Sequence, residues 1–101
     1  MSQSPVIVGV GAALMDLLVE EKDEFLGKMG AEKGGMTLVE SPVIQSALAG
    51  AGGVKSSPGG SASNTIVGIG SLGGRARMIG RVGRDELGDT FRAGLRRAGV
   101  E

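Results

Sequence analysis

The sequence predicts an α/β fold, and three observations carry the prediction. Residues 5–10 read Pro-Val-Ile-Val-Gly-Val, an apolar run with β-branched side chains at both parities, as in a strand buried on both faces of a parallel sheet. Residues 62–72 place Ile66, Ile69 and Leu72 three apart, a helical spacing. Residues 75–82 read as a second strand, and Leu87, Phe91, Leu95 and Ala98 then line one stripe of a final helix. Strand, insertion, helix, strand, helix is the order of an α/β unit.

The elements follow in chain order. After the first strand comes Gly11-Ala12-Ala13, small and flexible, and residues 17–20 predict a second, more exposed strand. Asp23–Met29 predicts a short helix with Phe25, Leu26 and Met29 on one face, and Gly30 stands in the place of a C-cap glycine. Gly34-Gly35 breaks the chain, and residues 36–39 predict a strand. Ser41 and Pro42 read as the N-cap and first residue of a helix carrying Val43, Ile44, Ala47 and Leu48. Residues 50–60 have the composition of a glycine-rich linker. In the helix over 62–72, Gly68 and Gly70 each cost about 1 kcal/mol against Ala at an exposed site, so they point to a close packing surface. Gly73-Gly74 ends that helix. Asp85 reads as the N-cap of the last helix, residues 86–98, and Gly99 as its C-cap. A turn into another strand is expected at Gly99-Val100-Glu101, and a parallel sheet of two strands cannot cover both its faces. The chain therefore reads as the front part of a larger α/β domain.

Composition narrows the function classes. With 41% apolar and 22% charged residues, the 101-residue chain reads as globular. Its 20 glycines lack a period of three, which excludes collagen. The absence of Cys and His excludes disulfides, thiol nucleophiles, Cys/His zinc sites and a Ser-His-Asp triad within this chain. Without Trp or Tyr, stacking on bases would fall to Phe25 and Phe91 alone. Net charge is zero overall, −4 over residues 1–50 and +4 over residues 51–101. The arginines of the second half are read as solvated faces, and no nucleic-acid partner is expected. No apolar run approaches the roughly 18 residues of a membrane span. The N-terminus lacks the basic start of a signal peptide, so a cytoplasmic location and no membrane partner are expected.

Three glycine patterns bear on nucleotide, phosphate or substrate binding. Gly9-Val10-Gly11 follows a strand, but the dinucleotide fingerprint needs Gly or Ala where Leu14 stands. A phosphate-binding Gly-Lys-Ser/Thr sequence is absent. Gly59-Gly60-Ser61-Ala62-Ser63-Asn64, directly before a helix, is the informative stretch. Its glycines permit close backbone approach, the helix start offers unpaired N–H donors, and the Asn64 amide can donate and accept. A plain glycine-rich helix entry capped by Ser61 explains the same six residues.

The surroundings of this stretch resemble the pfkB, or ribokinase-like, family of carbohydrate and nucleoside kinases. Gly59-Gly60 and Asn64 match its Gly-Gly…Asn motif. Gly73 and Gly83 fall at later glycine positions, and residues 82–88 match its Val-Gly-x-Asp-x-x-Gly turn. Upstream, residues 11–16 resemble the end of the family's first strand with its substrate-binding aspartate, and residues 33–40 resemble the adenosine-kinase-like branch. Two positions depart from the pattern: Ala12 stands where many members have Asn, and Ile66 where a small residue is favoured.

The resemblance implies the N-terminal part of a ribokinase-like, Rossmann-type fold with a small β lid. It implies a core strand about 5–11, lid and linking elements about 17–57, the substrate motif 59–64 and a core helix-strand-helix about 62–98. It also implies an ATP-dependent sugar or nucleoside kinase that transfers the γ-phosphoryl group to a substrate hydroxyl. Asp16, Gly60, Ser61 and Asn64 would contact substrate, and Met36 and Leu38, on the lid, would cover its apolar face. The family's Gly-Ala-Gly-Asp base motif is absent from the sequence, so no catalytic residue is assigned. ATP and Mg2+ are expected for an intact enzyme only, with no metal ligands here. The alternative is a non-enzymatic sugar- or nucleoside-binding or subunit-docking module. An oligomer, or membership of a longer chain, is expected in either case.

Overall fold

The computed structural model describes residues 4–101. In chain order it contains β1 (Val6–Val10), β2 (Leu14–Leu18), α1 (Asp23–Met29), α2 (Ser41–Ala49), β3 (Lys55–Gly59), α3 (Ser61–Ser71), β4 (Arg75–Ile79) and α4 (Glu86–Arg97). Two compact units result: Met1–Asp16 with Ser56–Glu101, and Leu17–Lys55.

The first unit holds the α/β core. β1 and β4 pair in parallel, from Val6 opposite Arg75 to Val10 opposite Ile79. The residue after β1 extends the pairing, since Gly11 N–H donates to the carbonyl of Ile79, the last residue of β4, at 3.2 Å. α3 and α4 supply Ile66, Phe91 and Leu95, which close with Ala76 and Val100 into the buried core. Full burial of such a side chain contributes about 1.5–3 kcal/mol. Val100 bridges Ala76 in parallel, and Glu101 N–H donates to the Ala76 carbonyl at 3.0 Å, so the turn after α4 leads into a further strand pairing as expected.

The core strands are not buried on both faces. A Cβ on Gly9 would meet Ile66 Cγ1 at 2.5 Å, so Gly9 faces α3. Val8 and Val10 therefore point to the opposite face, with Ile79 in register beside Val10. Their exposures are 48%, 72% and 57%. Ile66 of α3 and Phe91 and Leu95 of α4 join Ala76 in the buried core on the Gly9 side. The strand predicted over 75–82 is also shorter, ending at Ile79, because its partner β1 ends at Val10 and offers no further ladder.

β2 pairs with β3 in a second two-stranded sheet. The strand expected at 17–20 thus lies earlier, at Leu14–Leu18, and part of the expected linker is β3. Its sequence, Lys-Ser-Ser-Pro-Gly, has no apolar alternation, so pairing with β2 rather than intrinsic preference makes it a strand.

In the second unit, α1 occupies the predicted span and ends at Gly30, whose φ of 66° is left-handed. α2 begins one residue earlier than the capping reading: Glu40 is the N-cap, Ser41 is the first helical residue, and no side chain caps the end. The strand expected at 36–39 is absent. The chain turns at Gly34-Gly35, where Gly35 N–H donates to the Glu32 carbonyl at 3.1 Å. No strand pairs with the following segment, and Met36 and Leu38 are each 99% exposed. Neither α1 nor α2 contains a buried residue.

Candidate functional site

The site grows from the join between β3 and α3. Gly60 follows β3 directly and is the N-cap of α3, with φ 94° and ψ 146°, a conformation essentially reserved for glycine. A Cβ there would also meet the Ala12 carbonyl oxygen at 3.1 Å and Leu14 Cδ1 at 3.5 Å. The Gly60 carbonyl accepts from Asn64 N–H at 2.8 Å and starts the helix. No side chain caps α3, so Ser61 is its first residue and not its cap. The remaining N–H groups of the first turn have no intrahelical acceptor and carry the positive end of the helix dipole.

Pairing of β2 with β3 brings Asp16 to this helix entry. The Asp16 carboxyl lies against Gly59: a Cβ built on that glycine would sit 2.6 Å from Asp16 Cγ and 2.7 Å from Oδ1. Asp16 is exposed, as are Ser61 and Asn64, while Gly59 is buried. None of the side-chain hydrogen bonds among the described residues engages the Asp16 carboxylate. The Ser61 carbonyl accepts from Thr65 Oγ1 at 2.9 Å, and none of the side-chain hydrogen bonds among the described residues engages the Ser61 hydroxyl. One acceptor carboxylate, one hydroxyl, one amide and a set of helix-start N–H groups therefore share one end of the first unit. This is the end toward which β1 and β4 run, the edge at which open α/β sheets hold their ligands. Gly11 adds to the packing, since a Cβ there would meet Ala62 Cβ at 2.8 Å.

Met36 and Leu38 belong to the second unit, in the irregular segment between α1 and α2. Of the sequence candidates, Asp16, Gly60, Ser61 and Asn64 fall in the first unit. The closeness of Gly59 to Asp16 has no signal in the sequence, because β3 reads as linker and its pairing with Asp16's strand has no local mark.

The Val82-to-Gly88 turn is structural. Asp85 caps α4, its Oδ1 accepting from Gly88 N–H at 2.8 Å. Gly88 is buried where a Cβ would run into the Gly83 carbonyl. The motif's glycines and aspartate thus hold a tight helix entry, and Asp85 is engaged there. Elsewhere, Arg77 Nε donates to Glu101 Oε2 at 2.6 Å. This hydrogen bond and the guanidinium charge hold the Glu101 carboxyl below its ordinary value. Among the described residues no group of three or more acidic side chains could hold a metal ion, and no helix is long and apolar enough to cross a membrane.

With this geometry, the chain can be set beside known proteins. Residues 38–101 match the family described as pfkB family carbohydrate kinase. A probable fructokinase of Arabidopsis thaliana, fructokinase-6, chloroplastic, is 50% identical over 86 residues, which are 85% of this chain and 17% of that protein. A probable sugar kinase from Rhizobium etli CFN 42 superposes over 100% of this chain and 30% of its own length, with TM-score 0.79 and 34% identity. An adenosine kinase from Sinorhizobium meliloti does so over 99% and 30%, with TM-score 0.79 and 35% identity. The chain thus spans less than a third of the length of these relatives. It belongs to the pfkB family of carbohydrate kinases, and its mixed α/β architecture is that of the ribokinase-like sugar kinases.

Proposed function

We propose that this chain supplies the substrate-binding part of an ATP-dependent sugar or nucleoside kinase that transfers the γ-phosphoryl group to a substrate hydroxyl. One observation supports the reading most: the exposed Asp16 carboxylate lies against Gly59, next to the glycine that opens α3. A carboxylate accepts from two neighbouring hydroxyls at once, which suits a vicinal diol. Helix-start N–H groups and the Ser61 hydroxyl donate to substrate oxygens, and the Asn64 amide does either. Ala12 supplies none of the amide contacts expected of Asn at its position. Met36 and Leu38, both exposed, are the residues proposed to meet the apolar face of the substrate.

ATP and Mg2+ enter as the family's cofactors and not as groups that these residues fit. The described residues offer no converging acidic cluster, and the aspartate at a second glycine-rich helix entry, Asp85, is committed to its cap. No catalytic base is assigned, and phosphorylation by this chain alone is not expected. A cytoplasmic location goes with the proposal, and fractionation tests it against the plastid compartment named for the Arabidopsis relative.

The experiment is a pair of titrations of the chain, with D-fructose and with adenosine, followed by 1H–15N NMR. Shifts are expected at the amides of Asp16, Gly60, Ser61 and Asn64 with at least one of the two. Asp16→Ala should weaken that binding about tenfold or more, the usual effect of losing a hydrogen bond to a charged group. Silence at these amides in both titrations overturns the reading.

A further inference from the structure

The two glycines at the site do different work. Gly60 needs its left-handed φ, whereas Gly59 is not among the residues of positive φ. As a strand residue Gly59 is unfavourable, because glycine loses most entropy on ordering and brings nothing to pack. Its backbone does not call for glycine, so the reason lies in what surrounds the missing side chain. The three atoms nearest a Cβ at this position all belong to the Asp16 carboxyl, with Cγ at 2.6 Å and Oδ1 at 2.7 Å.

We propose that Gly59 is a positioning residue, whose missing side chain is the space in which the Asp16 carboxylate sits. The inference rests on Asp16 being the substrate-binding carboxylate. Asp16 is exposed, and its carboxyl is the free end of a side chain with two rotatable bonds. A methyl at position 59 therefore does not break the fold. It turns the carboxylate to another rotamer, away from the entry of α3, and substrate hydroxyls lose their acceptor. A backbone amide, by contrast, would still be present at position 59.

A double-mutant cycle on the chain tests this. Gly59→Ala, Asp16→Ala and the double variant are titrated with D-fructose and with adenosine, and the Asp16 χ1 rotamer populations are read from three-bond NMR couplings in the Gly59→Ala protein. Gly59→Ala should weaken binding about tenfold, as Asp16→Ala does, and should add nothing in the Asp16→Ala background. Its Asp16 χ1 populations should change. An equal loss in both backgrounds would show that Gly59 acts through its own backbone and overturns the proposal. If neither probe binds the parent chain, the substrate reading fails, and the couplings still decide the positioning claim: unchanged Asp16 rotamers overturn it, and altered ones uphold it.

Discussion

Gly60→Ala should separate the conformational role of one site glycine from the steric role of its neighbour. At φ 94° and ψ 146° an L-residue is strained, by about 1–3 kcal/mol. The new Cβ would also lie 3.1 Å from the Ala12 carbonyl oxygen, a backbone atom that cannot swing aside. Against this, the loss of chain freedom in the unfolded state returns about 0.4–1 kcal/mol. The balance is a destabilisation of about 1–2 kcal/mol, or roughly 4–16 °C in melting temperature for a domain of this size. Gly59→Ala meets only the movable Asp16 carboxyl, so its melting temperature should stay level or rise by a few degrees. Thermal unfolding followed by circular dichroism, at two protein concentrations to exclude association effects, reads both values. The reasoning fails if Gly60→Ala melts with the parent, or if the two variants fall equally far.

Three shorter tests address the frame around the site. Asp85→Ala removes the acceptor for Gly88 N–H and should cost about 0.5–2 kcal/mol in urea unfolding, with Asp85→Asn retaining most of the stability. Ser63 is fully buried and its Oγ has no partner among the described residues, so Ser63→Ala should stabilise by about 1 kcal/mol; a loss instead would reveal an acceptor or a bound water. Arg77→Gln should raise the Glu101 carboxyl toward its ordinary value in an NMR titration, with the Arg75 charge still holding it down. Because the folded-state value is the lower one, the stabilisation from this pair is complete above the unfolded carboxylate range and disappears as pH falls through the folded value.

The sequence was most legible where one residue type has one physical job. Asp85 reads as a cap and is one, since a short acceptor before an amphipathic run satisfies helix-start N–H groups wherever it occurs. Phe91 and Leu95 read as core because their spacing puts them on one helix face, and both are buried. Legibility failed where partner choice decides the outcome. β3 has no strand signal of its own and exists because β2 lies beside it, whereas residues 36–39 carry strand-forming side chains and find no ladder. For the site, the glycine pair was visible, and its division of labour was not. Only the spatial neighbour of Gly59, some forty residues earlier in the chain, explains that position.

The apolar run of β1 leads to a last prediction. Its pattern suits a strand covered twice, yet Val8, Val10 and neighbouring Ile79 stand exposed on one face. Two alternatives differ in what a polar substitution does. On an open face, Val8→Thr with Val10→Thr keeps β-branched shape and should shift stability by no more than about 0.5 kcal/mol at low micromolar concentration. Three side chains fall far short of the roughly 800 Å² per partner typical of a specific interface, so pairing of two such faces should be weak. The parent should then sediment as a monomer at low concentration and associate at high micromolar concentration, and the double variant should associate less. A parent that stays monomeric throughout removes self-association through this face. A variant that loses more than about 1 kcal/mol even when dilute would show the valines covered within the chain itself, because burying an unpaired hydroxyl costs about 1–3 kcal/mol and an exposed one almost nothing.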